Sequence, residues 1–362
     1  MDQPHRKDFE TRLDQLREEA RQKGRVEGAG THAASGPMPN PSSSENQTGY
    51  FGVPFLKPPV WEWMIAVYFF VGGVAGMSGL VGAAALIKSQ FGLARIAMWS
   101  AGIGAILSVI LLTADLGRPM RFIYMLRVFK YQSPMSVGSW IVSAFSAFAI
   151  PGLGFAEWHF HNVANGMADP IVHVLAVISI IGSGLFGIFL ATYTGALIGA
   201  TAIPAWNTHR ALLPFHFGMA GLGAAVAVPQ LVGFHEPALM AIFFFAAGAE
   251  NLVQVYLTFW RHGEVDAALH HGKSGVLMVL GESFSGPLPL ILAGLNVWGA
   301  ASIIFILGAL VTRFGWLVAG RSSACNPESV LASQKGAQPA AESRAAYVLD
   351  PAMASAGSLK KS

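Results

Sequence analysis

Eight long apolar stretches constrain this chain more than any other feature of its sequence. Crossing the hydrocarbon core of a bilayer as a helix takes roughly 20 apolar residues, so each stretch predicts a membrane span. The runs are continuous rather than alternating, which excludes a membrane barrel of strands. We therefore expect an all-α, polytopic membrane protein with eight transmembrane helices. The stretches are residues 61–86, 94–114, 137–156, 171–198, 212–232, 237–259, 275–295 and 298–320.

The composition agrees with lipid as the surrounding solvent. Only 12% of the 362 residues are charged and 53% are hydrophobic, whereas soluble domains carry about 25% charged residues. A net charge of +3 is too small and too dispersed to indicate a nucleic-acid partner. The single cysteine, Cys325, cannot supply the roughly four thiolates that hold an iron–sulfur cluster. Any such cluster must belong to a partner subunit.

The apolar domain, residues 55–322, lies between two polar segments. The first segment is residues 1–54, and its first 30 residues lack the apolar core of a signal peptide. Within them, Asp8 to Arg25 alternate in charge like a short solvated helix, and the following Gly-, Ser- and Pro-rich stretch predicts disorder. Residues 323–362 are small and polar, and we expect a loose tail. The seventh span contains Pro287 and Pro289, which predict a kink.

An even number of spans places both termini on one side, here named the terminal side. The basic residues of short loops concentrate there, whereas the opposite side holds Lys88 and Arg95. By the positive-inside rule, the terminal side is predicted to face the cytoplasm of a bacterial inner membrane. The terminal-side basic residues are Lys57, Arg118, Arg121, Arg127, Lys130, Arg210, Arg261, Lys273 and Arg321.

Polar side chains within the spans gather in the half of the membrane nearest the termini. Ionisable residues inside a membrane are costly, so each is a candidate for function. Near the opposite side we find only His173 and Asn296, so the far half should be almost pure hydrocarbon. The candidates in the terminal half are Glu62, Tyr68, Asp115, Tyr193, His216, Glu250, Glu282 and Arg313.

Several of these residues allow two interpretations. Glu282 and Arg313 occur at similar depth on consecutive spans, so they form either a buried pair that fixes packing or part of a functional site. Glu250, Glu282 and His216 can form a proton relay, although His216 is equally consistent with a packing role. Tyr68 can be an interface anchor or a ligand-binding residue.

The segment "TADLGRPMRFIYM", residues 113–125, places an acid at the end of the second span. Asp115 there opposes the helix dipole, which costs about 0.3–1 kcal/mol. Arg118 and Arg121 are expected to compensate this charge as a fixed network. Such a network can shape the mouth of a pocket or contact a docked partner.

Haem is not expected in this chain. Bis-histidine ligation needs two imidazoles at matched depth, but His173 and His216 lie toward opposite faces. The remaining histidines lie in loops and could bind a metal only by converging in the fold. They include His159, His161, His262, His270 and His271.

Four ordered motifs, one of them in two parts, resemble the membrane subunits of polysulfide reductase and of formate-dependent nitrite reductase, the NrfD/PsrC family. The resemblance covers roughly residues 55–330. The motifs are "PPVWEWMIAVYFFVGGVAG" (58–76), "DLGRPMRF" (115–122) with "SPMSVGSW" (133–140), "TYTGALIGATAIPAW" (192–206) and "RFGWLVAGRSSACNPES" (313–329).

This resemblance implies two four-helix bundles and a quinone site without resident redox cofactors. It also implies a docked ferredoxin-like iron–sulfur subunit, which contacts a molybdopterin oxidoreductase or a multihaem cytochrome. The site residues that it implies are Tyr68, Tyr193 and Asp115, and we add Glu62 and Arg118 at the same mouth. In a familiar relative the position of Tyr68 is a histidine, and the side with the termini and the quinone faces outward.

The sequence thus predicts a quinone-binding subunit that exchanges electrons between the quinone pool and an iron–sulfur partner. The alternatives are an ion or solute transporter without redox chemistry and a passive membrane anchor. The quinone type, the direction of electron flow, the partner's substrate and proton pumping stay open at this point.

Overall fold

The computed structural model describes residues Leu56, Trp61, 63–116, 120–164, 169–259 and 263–334. Within these ranges the chain is helical, and eight segments are long and apolar enough to cross a membrane. This confirms the all-α membrane fold predicted from the apolar stretches. The helices are α1 (Trp63–Ile87), α2 (Phe91–Asp115), α3 (Met120–Arg127), α4 (Pro134–Ala164), α5 (Pro170–Gly199), α6 (Pro204–Thr208), α7 (Leu212–Leu231), α8 (Pro237–Phe259), α9 (Ala267–His270), α10 (Gly272–Ser285), α11 (Pro287–Gly294) and α12 (Trp298–Cys325).

Local sequence signals set several helix ends. At the start of α5 the Asp169 side chain accepts a hydrogen bond from the Ile171 backbone N–H at 2.9 Å, and Pro170 occupies the first helical position. An acidic N-cap followed by proline is a favourable helix start. The seventh span breaks at Gly286 into α10 and α11, where Pro287 and Pro289 predict a kink.

Helix α1 packs against α2, α5, α7 and α12. Its contact with α5 includes a close approach of backbone atoms at Gly76 and Gly187. A Cβ atom added to Gly76 would lie 2.3 Å from the Gly187 carbonyl oxygen, which is far inside van der Waals contact. The glycines of α1 therefore serve the close helix packing typical of small residues in membrane proteins.

The division into two four-helix bundles stays a prediction. Spans one to four, which are α1, α2, α4 and α5, contact one another, and so do the last four spans. Helix α7, however, contacts α1 and α5 as extensively as it contacts α8 and α12. The fifth span thus joins both groups.

The start of the C-terminal segment is ordered, in contrast to the loose tail expected from composition. Helix α12 continues to Cys325, and residues 327–334 are helical. The Ser329 hydroxyl donates to the Glu264 carbonyl at 2.7 Å, and Val330 is buried. This contact ties the segment to the turn after α8.

The far half of the membrane domain is more polar than expected. Gln230, near the far end of α7, is buried and accepts a hydrogen bond from Ser302 of α12 at 3.1 Å. Buried amide and hydroxyl groups are tolerated when they form hydrogen bonds with each other. The sequence analysis considered ionisable residues and therefore did not include this pair.

Candidate functional site

Tyr68 lies in the terminal half of α1, with its side chain only 2% exposed. Its ring packs beside Phe69, at 5.7 Å between ring centroids, in an apolar core that also contains Phe217 of α7 and Trp316 of α12. Its hydroxyl makes no hydrogen bond to any other residue in the described part of the chain. Buried hydroxyls normally have a partner, so this one is available to a ligand.

A second unpaired hydroxyl lies close to Tyr68. Ser108 of α2 is fully buried, and its Oγ has no hydrogen-bond partner among the described residues. Gly72 separates the two side chains: a Cβ atom there would lie 3.6 Å from Ser108 Oγ and 3.7 Å from Tyr68 Cε2. The missing side chain at Gly72 thus brings α1 and α2 close together beside the tyrosine. Sequence reasoning overlooked Ser108 because serine is common in membrane helices.

Tyr193 of α5 lies on the other side of this region. It is half-buried, interacts electrostatically with Tyr68, and its hydroxyl donates to the Pro134 carbonyl at the start of α4. Gly138 leaves space for its ring, because a Cβ atom there would lie 2.3 Å from the tyrosine oxygen. Tyr193 therefore keeps only acceptor capacity, whereas Tyr68 can both donate and accept.

Of the remaining predicted mouth residues, Asp115 lies within the described part of the chain. Asp115 is the last residue of α2 and is half-buried. Glu62 and Arg118 lie outside the described residues. The expected network around Asp115 therefore stays a prediction.

The proposed relay residues form a second cluster on other helices. His216 of α7 and Glu250 of α8 are both fully buried, with Nδ1 of the imidazole 3.0 Å from a carboxylate oxygen. Ser285 of α10 donates to the same carboxylate at 3.4 Å. His216 Nε2 has no partner among the described groups. The histidine is thus held by the carboxylate on one side and has a free nitrogen on the other.

Glu282 and Arg313 belong to this cluster, but no hydrogen bond or ion pair joins them. Glu282 is buried, interacts electrostatically with Glu250, and its Oε1 has no partner among the described groups. Arg313 instead donates to the Phe217 carbonyl at 2.9 Å and stacks on that ring, 3.7 Å from its centroid. In the same part of the structure, its Nε and one terminal nitrogen have no partner. Unpaired buried groups of this kind normally contact ordered water.

An aromatic contact connects the two clusters. Phe217 lies 6.0 Å from Phe69, the neighbour of Tyr68, measured between ring centroids. A Cβ atom on Gly73 of α1 would lie 4.0 Å from an Arg313 nitrogen. Arg313 therefore lies between the tyrosine cluster, which is Tyr68 with Ser108 and Tyr193, and the carboxyl cluster, which is Glu250 and Glu282 with His216.

Sequence reasoning also missed a buried histidine–aspartate contact on the terminal side. His209 Nε2 lies 3.0 Å from Asp266 Oδ1, and both side chains are almost completely buried. His209 also contacts the Trp316 ring, 5.8 Å between centroids, and Trp316 is 6.2 Å from His216. Both residues of the pair lie in connecting segments, where periodicity gives no signal.

The far end of the domain carries two further polar contacts. The Arg95 guanidinium donates to both carboxylate oxygens of Glu157, at 2.5 and 2.9 Å, and Trp99 donates to Glu157 at 2.6 Å. His159 and His173 approach to 3.3 Å between ring nitrogens. Among the described residues, no group of three or more potential ligands for a metal ion occurs.

These features define a multi-pass membrane protein with a polar interior enclosed by its spans. Residues 52–322 match the family model described as "Polysulphide reductase, NrfD". Because this match covers well over half of the chain, the protein belongs to the NrfD family, as the four motifs indicate.

A curated relative is the C subunit of polysulfide reductase from Wolinella succinogenes, which is 29% identical to this protein over 200 residues. The aligned region covers 48% of this protein and 58% of the relative. The match thus spans somewhat more than half the length of that relative.

Proposed function

We propose that this chain is the quinone-binding membrane subunit of a respiratory oxidoreductase. In this role it exchanges electrons between the quinone pool and a docked, ferredoxin-like iron–sulfur subunit. The observation that carries the proposal is the buried Ser108 hydroxyl, which has no partner among the described residues and lies close to the buried ring of Tyr68, in the half of the membrane near the termini. A quinone needs hydrogen-bond partners for its oxygens within an otherwise apolar site.

The chain's own residues fit this group. Tyr68 can donate to a carbonyl oxygen or accept from a hydroxyl, because no described residue engages its oxygen. Tyr193, whose proton bonds to the Pro134 carbonyl, can only accept, which suits the hydroxyl of a reduced quinol. The group itself supplies two electrons and two protons on oxidation. Asp115, with Glu62 and Arg118, is proposed to shape the mouth.

Proton handling is assigned to the carboxyl cluster. Glu250 holds His216 through Nδ1, while His216 Nε2 and Glu282 Oε1 are buried and unpaired among the described groups. Two acids and one imidazole within one buried cluster can hold and pass protons if water joins them. In this proposal Arg313 offsets the negative charge, since it interacts electrostatically with Glu250.

The partners and location follow from the same proposal. A docked iron–sulfur subunit would receive or deliver electrons on the terminal side. A molybdopterin oxidoreductase or a multihaem cytochrome subunit would complete the complex. The quinone is menaquinone or ubiquinone, and the membrane is the bacterial inner membrane with both termini in the cytoplasm.

The test compares Tyr68→Phe and Asp115→Asn in membranes that carry the whole complex. Both variants should lower quinol-dependent turnover, whereas electron transfer from an artificial donor to the partner subunits should be unchanged. Tyr124→Phe is the matched control, because Tyr124 is exposed on α3. If quinol turnover stays at the wild-type level in both site variants, these residues are not part of the site.

Ion conduction without redox chemistry is a second candidate, and the unpaired buried groups of His216, Glu282 and Arg313 favour it. The protein alone, reconstituted in liposomes, should then carry protons down an imposed gradient. An impermeable bilayer together with quinol-dependent turnover of the complex would reject this candidate.

A further inference from the structure

Two histidine rings meet where α4 ends and α5 begins, on the side opposite the termini. His159 lies in the penultimate turn of α4, and His173 lies in the first turn of α5. The Nε2 atom of His159 is 3.3 Å from the Nδ1 atom of His173. The ring centroids are 4.7 Å apart, and the ring planes are inclined at 48°. His173 is exposed and His159 is half-buried, so ions in the aqueous phase can reach the pair.

The distance between these two nitrogens distinguishes two kinds of contact. Hydrogen bonds donated by N–H groups are usually about 2.7–3.2 Å long, so a direct bond between the imidazoles would be a long one. A tetrahedral zinc ion bound at about 2.0–2.1 Å by two imidazole nitrogens holds those nitrogens roughly 3.3–3.4 Å apart. The observed distance therefore matches two ligands of one tetrahedral ion.

Other hydrogen bonds fix the helical turns that carry the two rings. Glu157, in the same turn of α4 as the first ring, accepts bonds from Arg95 and Trp99 of α2. These bonds hold the end of α4 against α2 and neutralise the guanidinium charge. At the start of α5, the Asp169 carboxylate caps the helix, and the Asp169 carbonyl accepts from the His173 backbone N–H at 3.0 Å. Supports of this kind preorganise the ligands of a metal ion.

We infer that His159 and His173 form a binding site for a divalent transition-metal ion of the zinc type, with water completing its coordination. Neutral imidazole suits zinc, copper and nickel, whereas magnesium and calcium prefer oxygen ligands. The described residues offer no group of three or more ligands, so the protein supplies two and the ion exchanges with the solvent. A bound ion links the third and fourth spans on the side opposite the proposed quinone site. The inference does not depend on the proposed function.

His161 provides a matched control on the same helix. Its side chain is 70% exposed, and its Nε2 atom lies 3.8 Å from a Glu157 oxygen. Residues two positions apart on a helix do not face each other, so His161 and His159 do not share one ion. An ion held by scattered surface histidines would depend on His161 as much as on the other two.

The experiment uses the purified full-length chain in detergent, without a polyhistidine tag and in a Cys325→Ser background. Bound metal is first removed with EDTA, and the EDTA is then removed by gel filtration. Zinc binding is measured by isothermal titration calorimetry, with Mg²⁺ as the control ion. Melting temperatures are measured on the same samples with and without zinc. The variants are His159→Ala, His173→Ala, the combination of both, and His161→Ala.

We expect a saturable zinc site in the starting protein that Mg²⁺ does not occupy. His159→Ala and His173→Ala should each weaken zinc binding at least tenfold, equivalent to about 1.4 kcal/mol. The double variant should bind no more weakly than either single variant, because loss of one ligand already removes the chelate. His161→Ala should bind as tightly as the starting protein. Zinc should raise the melting temperature only where the pair is intact, because an ion that binds the folded chain alone stabilises it.

Three outcomes would overturn the inference. If the double variant binds zinc as tightly as the starting protein, the pair is not the site. If His161→Ala weakens binding as much as His159→Ala, the ion is held by surface histidines without a defined site. If zinc changes no melting temperature, but His159→Ala and His173→Ala both melt lower in the metal-free state, the contact is a hydrogen bond between the two imidazoles.

Discussion

At the scale of single residues, the proposed function assigns head-group binding and proton movement to side chains on different helices. Tyr68 and Ser108 lie on α1 and α2, whereas Glu250 and His216 lie on α8 and α7. The Phe69–Phe217 contact joins the two regions. Binding of the head group and movement of protons should therefore respond to different substitutions.

Glu250→Gln tests this separation. The amide keeps the shape of the side chain but removes its charge and its capacity to hold a proton, so quinol turnover should fall at least tenfold. The dissociation constant for quinone should change less than twofold. The expected turnover and the expected dissociation constant are checked by steady-state kinetics and equilibrium binding on the same preparation. Glu328→Gln, at an exposed position, is the control. A turnover equal to wild type would remove Glu250 from the relay.

The residues of the site differ in how far the sequence predicts them. Tyr68, Glu250 and Glu282 stand out because ionisable or phenolic groups are rare in apolar runs. The Glu282–Arg313 pair was expected from similar depth alone, but Arg313 is oriented toward the Phe217 carbonyl. Depth along a helix follows from residue count, whereas orientation around the helix depends on how neighbouring helices pack. The sequence does not single out Asp266 or Ser108 as site residues, because acids in loops and serines in membrane helices are both common.

At the scale of helices and loops, the contact between His209 and Asp266 joins the segment before α7 to the turn before α9. Asp266→Ala leaves a buried imidazole without its carboxylate, and loss of a hydrogen bond to a charged group costs about 1.5–3 kcal/mol. We expect a clearly lower melting temperature in detergent, measured by differential scanning fluorimetry.

Glu264→Ala is the control for this loop, because the Glu264 side chain is exposed and only its backbone carbonyl accepts a bond from Ser329. It should melt within about a degree of wild type, since surface substitutions usually change stability by less than about 0.5 kcal/mol. Equal melting temperatures for both variants would show that the buried pair does not hold the two segments together.

Gly76→Ala tests the backbone contact between α1 and α5. The new methyl group would lie 2.3 Å from the Gly187 carbonyl oxygen, so the helices must separate. Overpacking of this kind costs about 1–3 kcal/mol. Resistance to thermal aggregation in detergent should fall.

Gly248→Ala is the matched substitution on α8, where no atom of the described residues lies within 4 Å of the added methyl group. Replacing an uncrowded helical glycine by alanine stabilises by about 0.5–1 kcal/mol. The two alanine variants should therefore shift stability in opposite directions. A shift of the same sign in both would contradict the close contact.

The helices themselves followed closely from the sequence, because a run of apolar residues has no other stable state in lipid. The break of the seventh span at Gly286 followed from Pro287 and Pro289. The order of residues 327–334 was not predicted. Its small polar residues are typical of a loose tail, whereas the contact of Ser329 with the Glu264 carbonyl and the burial of Val330 show that this segment packs.

At the scale of the whole molecule, the orientation in the membrane can be tested with the protein's single cysteine. Cys325 is exposed at the end of α12, on the terminal side. If both termini face the cytoplasm, a membrane-impermeant maleimide should label Cys325 in inverted vesicles but not in intact spheroplasts.

Lys88→Cys in a Cys325→Ser background is the control, because residue 88 follows α1 on the opposite side. Its labelling should be reversed, with reaction in spheroplasts only. Labelling of Cys325 in spheroplasts would place the termini and the proposed quinone site on the outside. It would also mean that an acidic partner surface, rather than the positive-inside rule, accounts for the basic loops.

The glycine contact between α1 and α5 also limits how the protein can respond to its ligand. Tyr68 and Tyr193 are carried by two helices that touch main chain to main chain at Gly76 and Gly187, with no side chains between them to rearrange. Moving the two helices apart would break this contact, because no side chain can rearrange to fill the space. If a quinone binds between the two phenols as proposed, this contact would oppose the admission of a wider ring.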